Sequence, residues 1–424
     1  MHGDDIHTLA TPLRSAEDFD PLLDRVGDAR IVMLGEASHG THDFYAWRAA
    51  VTRRLVDERG FSFVAVEGDW PDCDRVDRAV RCRPGGGTAR DALLAFDRWP
   101  TWMWANEEVC DFATWLRARN TTLATPVGFH GLDVYSLWQS IEEIRRYLRE
   151  HDPVNEHVAL SVLRCLAPYQ QDPQLYAWAT VMGSTCAPAL TDLLTAVRQR
   201  VAEAGPDPFQ DFDARQNAEA AVGAEHYYRE MVNNGPESWN VRDVHMTDTL
   251  DRLLRHYGPS AKAVVWAHNT HVGDARATDM ADAGMVNVGQ LARERWGADT
   301  VVLVGFGCHR GTVLAGPGWG DPVEVMPVPP ARSGSLEAIL AAALPEPALF
   351  VFPEGSRPHW VTDVLPHRAI GVVYQPSREA YGNYVPTRLG DRYDAFVWLP
   401  DTTALKALPA VPAGGELETF PVGV

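Results

Sequence analysis

The feature that most constrains this chain is a series of short, unbroken apolar runs, each stopping at a glycine or an ionisable residue. Ile31-Val-Met-Leu stops at Gly35, and Phe61-Ser-Phe-Val-Ala-Val stops at Glu67. Pro126-Val-Gly-Phe stops at His130, Lys262-Ala-Val-Val-Trp-Ala at His268, and Thr300-Val-Val-Leu-Val at Gly305. Runs this short, without polar alternation, suit strands covered on both faces, the condition of a parallel sheet. Further strands are expected near 348–352, 369–373 and 394–399. After the first run, Phe44, Trp47, Val51 and Leu55 recur at helical spacing behind Thr41 or Asp43, either of which can cap a helix. Helices are also expected near 72–82 and 101–119, separated by the loop Pro84-Gly-Gly-Gly. From 136 to 257 the pattern is helical almost throughout, too long for one crossover connection.

Strands alternating with helices make an α/β fold, with a largely parallel central sheet flanked by helices and a long helical insertion or subdomain. The expected division is a first part of the core over 1–135, the insertion over 136–257, a second part over 258–408, and an irregular tail over 409–424. In an open parallel sheet the carboxyl ends of the strands share one edge, where ligands bind. Glu36 and His39 follow the first strand and Glu67 ends the second. His130 and Asp133 follow the third, and His268 and His271 follow the strand at 262–267. These seven residues are expected in one cleft, since buried carboxylates placed separately would each need a partner. A faint internal echo, Leu34-Gly-Glu-x-x-His and Trp266-Ala-His-x-x-His, marks either a duplicated unit or chance.

The chemistry open to such a cleft is narrow. The G-x-S-x-G elbow of serine hydrolases is absent, and Glu36 stands where that motif needs a glycine before Ser38. There is no P-loop, no G-x-G-x-x-G after a strand and no H-E-x-x-H. What remains is histidine plus carboxylate: a neutral imidazole takes a proton from water while carboxylates fix its tautomer. Arg48, about two and a half turns beyond His39, either pairs with Glu67 or Glu36, holds a developing oxyanion, or is a solvated helix residue. His39-x-x-His42 and His268-x-x-His271, with Glu36 and Glu67, are an alternative metal-ligand set, but loop histidines at that spacing have no fixed geometry. No metal and no other cofactor is expected.

A net charge of −19 argues against nucleic acid or an anionic membrane as partner, leaving a small-molecule substrate and an undefined oligomeric state. The six cysteines are scattered without a C-x-x-C and read as reduced thiols. No basic-then-apolar leader opens the chain and no apolar run approaches the roughly 20 residues that span a bilayer, so a cytoplasmic location is expected.

Several blocks together resemble the erythromycin esterase family: Leu34-Gly-Glu-Ala-Ser-His-Gly-Thr-His-Asp-Phe, Val66-Glu-Gly-Asp-Trp-Pro-Asp, Gly131-Leu-Asp-Val-Tyr-Ser-Leu, Ser238-Trp-Asn-Val-Arg-Asp-Val-His-Met, Trp266-Ala-His-Asn-Thr-His-Val-Gly-Asp and Gly305-Phe-Gly. They run in the family's order up to Tyr393-Asp-Ala-Phe-Val-Trp. The resemblance implies a hydrolase without a serine nucleophile, in which a histidine activates water against a macrolactone ester, without dependence on a metal. Family catalytic positions match Glu36, His39, Arg48, Glu67, His268 and His271, with His39 as general base.

Substrate contacts are expected from Asp133, Tyr135, Arg242 and Tyr384, with Tyr381 beside the last. Asp133 could equally cap the next helix, and Arg242, Asp243 and His245 either brace the cleft or form a surface network. Tyr169, Tyr176, Trp178, Tyr227, Tyr228 and Trp239 are candidates for an apolar wall. Two alternatives to hydrolysis stay open at this stage. One is a natural-product biosynthetic enzyme that eliminates, cyclises or rearranges its substrate in the same His/Glu cleft, and the other is a metal-binding protein.

Overall fold

The computed structural model describes residues 3–169, 171–203, 207–233 and 235–410. The strands are β1 (Ala10–Pro12), β2 (Ile31–Leu34), β3 (Phe63–Asp69), β4 (Gly128–Asp133), β5 (Ala263–Trp266), β6 (Val301–Ala315), β7 (Glu324–Val328), β8 (Ala348–Val351), β9 (Val364–Arg368), β10 (Tyr384–Arg388) and β11 (Ala395–Thr402). Nine of them form one sheet in the order β1-β8-β11-β6-β2-β5-β3-β4, with β7 added against β6. From β11 to β4 every neighbouring pair is parallel, and the antiparallel pairs are confined to β1, β7 and β8. The chain is therefore an α/β fold with a mostly parallel central sheet flanked by helices.

The apolar runs divide by parity between the two faces of the sheet. Val32, Leu34, Val64, Val66, Val264 and Trp266 enter one core cluster. Their neighbours Ile31, Met33, Phe63, Ala65, Ala263 and Val265 enter the other. With both faces covered, an unbroken apolar run costs nothing in exposure, so the runs need no alternation. Between β4 and β5 the described residues of 137–257 are mostly helical, and many of their apolar side chains close a third cluster of their own. Its last helix, Glu237–Tyr257, also packs on β4 and on the helix Val288–Trp296.

Three expectations fail in this frame. The strand expected at 369–373 does not form; β9 lies just before it and pairs with β10 as a separate two-stranded sheet. Residues 369–373 make only isolated bridges, such as Ser38 with Ile370. The cysteines are not all reduced: Cys165 and Cys186 form a disulfide, and Cys73, Cys82, Cys110 and Cys308 are free. The helices Glu156–Leu166 and Ala187–Ala202 lie against each other and bring the two Cα atoms to 5.9 Å, a proximity that sequence spacing does not encode. A third helix, Ala89–Leu94, occupies a stretch read as connection. Of the tail expected at 409–424, the part from 411 onward lies outside the described residues. Among the described residues no helix is long and apolar enough to cross a membrane.

Candidate active site

The carboxyl ends of β4, β3, β5 and β2 are consecutive in the sheet, so the turns that follow them meet. The β2 turn is tight, and a Cβ at Gly35 would run into the Asn269 side chain. Asn269 N–H donates to the Glu36 carbonyl at 2.9 Å, which ties the turn after β2 to the turn after β5. The two segments of the internal echo thus sit on adjacent parallel strands, with Leu34 beside Trp266.

Glu36 is fully buried between an imidazole and a guanidinium. Its Oε1 lies 2.9 Å from His39 Nδ1 and its Oε2 lies 2.8 Å from Arg48 Nη2. Arg48 is also fully buried, its guanidinium stacked 4.2 Å from the Tyr45 ring centre and 5.2 Å from that of Trp266. It is not a solvated helix residue. Phe44, Val51 and Leu55 share its buried helix face, a spacing that carries Arg48 inward with them.

Glu67 is the hub. Its Oε1 accepts from Arg242 Nη2 at 2.7 Å and lies 3.4 Å from His271 Nε2 and 4.0 Å from His39 Nε2. Its Oε2 accepts from the His268 backbone N–H at 2.8 Å. Burial alone would push this carboxyl up, but His271, Arg242 and His39 together outweigh burial and hold it well below the usual range. Arg242 grips Asp133 with two hydrogen bonds, Nε to Oδ1 at 2.9 Å and Nη2 to Oδ2 at 2.7 Å, and stacks 5.0 Å from the Tyr135 ring centre. Asp133 is therefore the anchor of Arg242 and does not cap a helix.

The histidines differ in environment. Burial opposes charge on His271, but Asp243 and Glu67 overcome it and raise the imidazole to about 9. Both Asp243 oxygens face His271 Nδ1, at 2.9 and 3.0 Å, and the Trp239 indole stacks on the ring at 4.5 Å and 6°. Arg242 Nη1 sits 3.2 Å from His271 Nε2, a contact that favours the neutral ring. Two carboxylates against one guanidinium decide for the cation. His268 goes the other way: burial and the neighbouring His39 hold it well below its usual value. Its Nδ1 lies 2.8 Å from the Thr270 hydroxyl and 3.3 Å from the Thr270 backbone N–H. The His39 and His268 ring centres are 4.9 Å apart.

A cleft opens over this network. His39, Glu67, Asp133, Tyr135 and Arg242 line it, with an apolar wall from Phe96, Met103, Trp104 and Trp319. Burial raises Asp72, at its edge, to about 7. The aromatic wall was missed in the sequence, because Phe96 and Trp319 sit in connecting segments with no periodicity to read, and Met103 and Trp104 precede the α-helix that begins at Glu107. The helical aromatics expected there do not line it. Tyr176, Tyr227 and Tyr228 are buried among the helices, Trp178 is exposed, and Trp239 stacks on His271.

Two more expected members lie elsewhere. His130 turns away from the cleft, stacked on Trp70 at 5.5 Å and 2.8 Å from the Tyr257 hydroxyl. Asp133 is three residues on, an odd step along a strand, so the two side chains leave opposite faces. Tyr384 does not reach the cleft: it belongs to the β9–β10 hairpin and contacts Arg332 and Arg368. Tyr381 beside it projects into solvent. His42 pairs with Glu108 at 2.7 Å, and Ser38 is hydrogen-bonded to Thr41, which leaves neither in the cleft. Among the described residues no three histidine, cysteine or carboxylate side chains are grouped so as to hold a metal ion.

The erythromycin esterase family model matches residues 56–402. A putative hydrolase, YbfO, from Bacillus subtilis is 22% identical over 88% of this chain and 84% of its own. An erythromycin esterase type II from Escherichia coli is 22% identical over 62% of this chain and 65% of its own. A solved structure described as an erythromycin esterase mutant, EreC, in its open conformation superposes with a TM-score of 0.70 at 18% identity, covering 94% of this chain and 96% of that one. With most of its length matched by the family model, the chain belongs to the erythromycin esterase family, a membership that supports a hydrolase.

Proposed function

We propose that the chain is an esterase that opens an ester or lactone of a bulky small molecule, with His39 as general base and no serine nucleophile. The observation that carries the reading is the placement of His39 in the cleft floor, Nδ1 held by Glu36 and Nε2 turned toward Glu67. With Nδ1–H donated to Glu36, Nε2 is the free basic position. It takes a proton from water as the water oxygen attacks the ester carbonyl carbon. Arg48 neutralises Glu36, so Glu36 orients the imidazole without competing for that proton. The charge that develops on the carbonyl oxygen is met by the Arg242 guanidinium, which lines the cleft. Collapse expels the alkoxide, which recovers the proton from His39. Glu67 remains ionised and steadies the transient imidazolium, kept so by Arg242 and His271. Tyr135 and the aromatic wall supply the apolar grip that a large substrate needs.

The test is turnover of a panel of macrolides and simple aryl esters by the native protein and by His39→Ala. The expected result is hydrolysis that carries one oxygen-18 from labelled water into the acid product and disappears in the variant. Full activity in His39→Ala would sink the assignment of the base. Turnover without label in the product would instead favour elimination or rearrangement in the same cleft.

A further inference from the structure

His271 follows β5, yet the groups that fix its ring belong to the helix Glu237–Tyr257, at the far end of the long helical segment. Trp239 covers one face of the imidazole with nearly parallel planes. One turn on, Asp243 is fully buried and presents both carboxylate oxygens to Nδ1. Asp243 is itself held, since the Val288 backbone N–H at the start of the helix Val288–Trp296 donates to its Oδ1 at 3.0 Å. The charged groups facing the ring are Asp243 and Arg242 from the helix and Glu67 from β3, with His268 on the ring's own turn.

We propose that Asp243 is the positioning residue of His271, fixing its Nδ1–H and keeping the ring in the form that holds Glu67 ionised beneath the cleft. It touches no substrate and acts through His271 and then Glu67. The inference rests on the reading of the cleft as an esterase site only for its kinetic consequence. Its electrostatic consequence belongs to the resting protein.

The geometry argues for a role beyond filling space. A packing role would be served by one oxygen on Val288 and any apolar remainder. Here the two oxygens lie within 0.1 Å of equidistant from one ring nitrogen, in an interior where an unpaired carboxylate is costly. Removing the charge but keeping the shape, as in Asp243→Asn, leaves Val288 an acceptor and denies His271 its counter-ion. Arg242 Nη1 then faces His271 Nε2 with less to oppose it, and the neutral ring gains. Glu67 in turn loses a cationic neighbour.

The experiment uses full-length protein with isotope-labelled histidine. His271 ring signals, assigned by their loss in His271→Gln, are followed against pH in the native protein and in Asp243→Asn and Asp243→Glu. The expected midpoint for His271 falls by at least about one unit in Asp243→Asn, returns most of the way in Asp243→Glu, and moves without loss of the cooperative thermal transition. Should the aryl-ester assay show turnover, kcat in Asp243→Asn should fall about 100-fold, with KM changed less than about threefold and the alkaline limb of the pH profile displaced to lower pH. An unmoved His271 midpoint, or kcat and KM both unchanged, overturns the proposal. Absence of turnover in the native protein overturns the esterase reading alone, since the titration stands without a substrate.

Discussion

Two carboxylate–imidazole pairs flank Glu67, and they are built in opposite ways. Glu36 and His39 lie three residues apart in one turn after β2, and the carboxylate has a second partner, the cation of Arg48. Asp243 and His271 lie 28 residues apart on different elements, and that carboxylate accepts from the Val288 backbone N–H besides holding the ring. Glu36 thus divides its two oxygens between His39 and Arg48. Asp243, together with Glu67, draws the proton onto His271 and raises the ring to about 9. One pair suits a base and the other a standing positive charge, although each joins a carboxylate to an imidazole. Environment divides the roles, as it does wherever two like groups share a site.

The comparison breaks most severely at His39. His39→Ala removes the base and leaves Glu36 still paired with Arg48, so ester turnover should fall about 1,000-fold or more, while the far-ultraviolet circular dichroism is unchanged. A smaller loss in kcat than that of the Asp243→Asn variant would reverse the assignment of the two pairs.

Glu67→Gln tests what the pairs share. The neutral amide no longer stabilises a charged His39 and no longer supports His271, so kcat should fall about 100-fold, less than with the base removed. Stability should fall as well, although Arg242 keeps its two bonds to Asp133. Removing Asp133 as well would strand the buried guanidinium, and losing one partner of such a pair costs about 3–5 kcal/mol. Urea melts of Glu67→Gln and of the double variant with Asp133→Asn measure the difference directly.

A third test separates the pairs by pH without any substrate. The folded value of His271, about 9, lies above its unfolded value of 6.5. Its contribution to stability is therefore fully present below about pH 6.5 and is lost as the pH rises through 9. Two and a half units correspond to about 3 kcal/mol at most. Glu67 is shifted in the other sense, so its contribution is present above about pH 4.5 and fades as the pH falls. Denaturation midpoints at pH 6.5 and 9.5 should drop in the native protein and stay level in His271→Gln. An equal drop in both would assign the alkaline loss to other groups.

The same contrast explains what could be read from the chain. The base pair is local, and each strand end announces itself by an apolar run that stops, so Glu36, His39, Glu67 and the turn at 268–271 were legible as neighbours. Arg48 stayed open between a solvated and a buried place, although the helical spacing from Phe44 to Val51 and Leu55 carries it inward. Asp243 and Trp239 were not legible, since nothing in a helix distant in sequence says which turn it will cover. His130 was misplaced by ignoring the two-residue period of a strand, and Tyr384 because a separate hairpin does not share the edge of the parallel sheet. In the aromatic wall, Met103 and Trp104 fall where a helix was expected from 101 but the α-helix begins only at Glu107, and Phe96 and Trp319 sit in connections without periodicity.

The smallest effect on the cleft is expected from the disulfide, and it asks how far the helical segment acts as one body. Cys165 and Cys186 close a loop of 21 residues within the cluster of helices, whereas Trp239 and Asp243 stand on the later helix Glu237–Tyr257, which is bound to β4 and to the helix Val288–Trp296. Closing a loop of that length contributes about 3 kcal/mol by restricting the unfolded chain. If the helix bearing Asp243 is anchored to the sheet rather than to its own neighbours, reduction should loosen 156–202 and leave the His271 pair alone. Hydrogen exchange under dithiothreitol should then speed up in Glu156–Leu166 and Ala187–Ala202, with the His271 midpoint and kcat unchanged within about twofold. A shift of the His271 midpoint on reduction would mean that the helices transmit strain as a block, and that the second pair is tuned from the surface of the molecule.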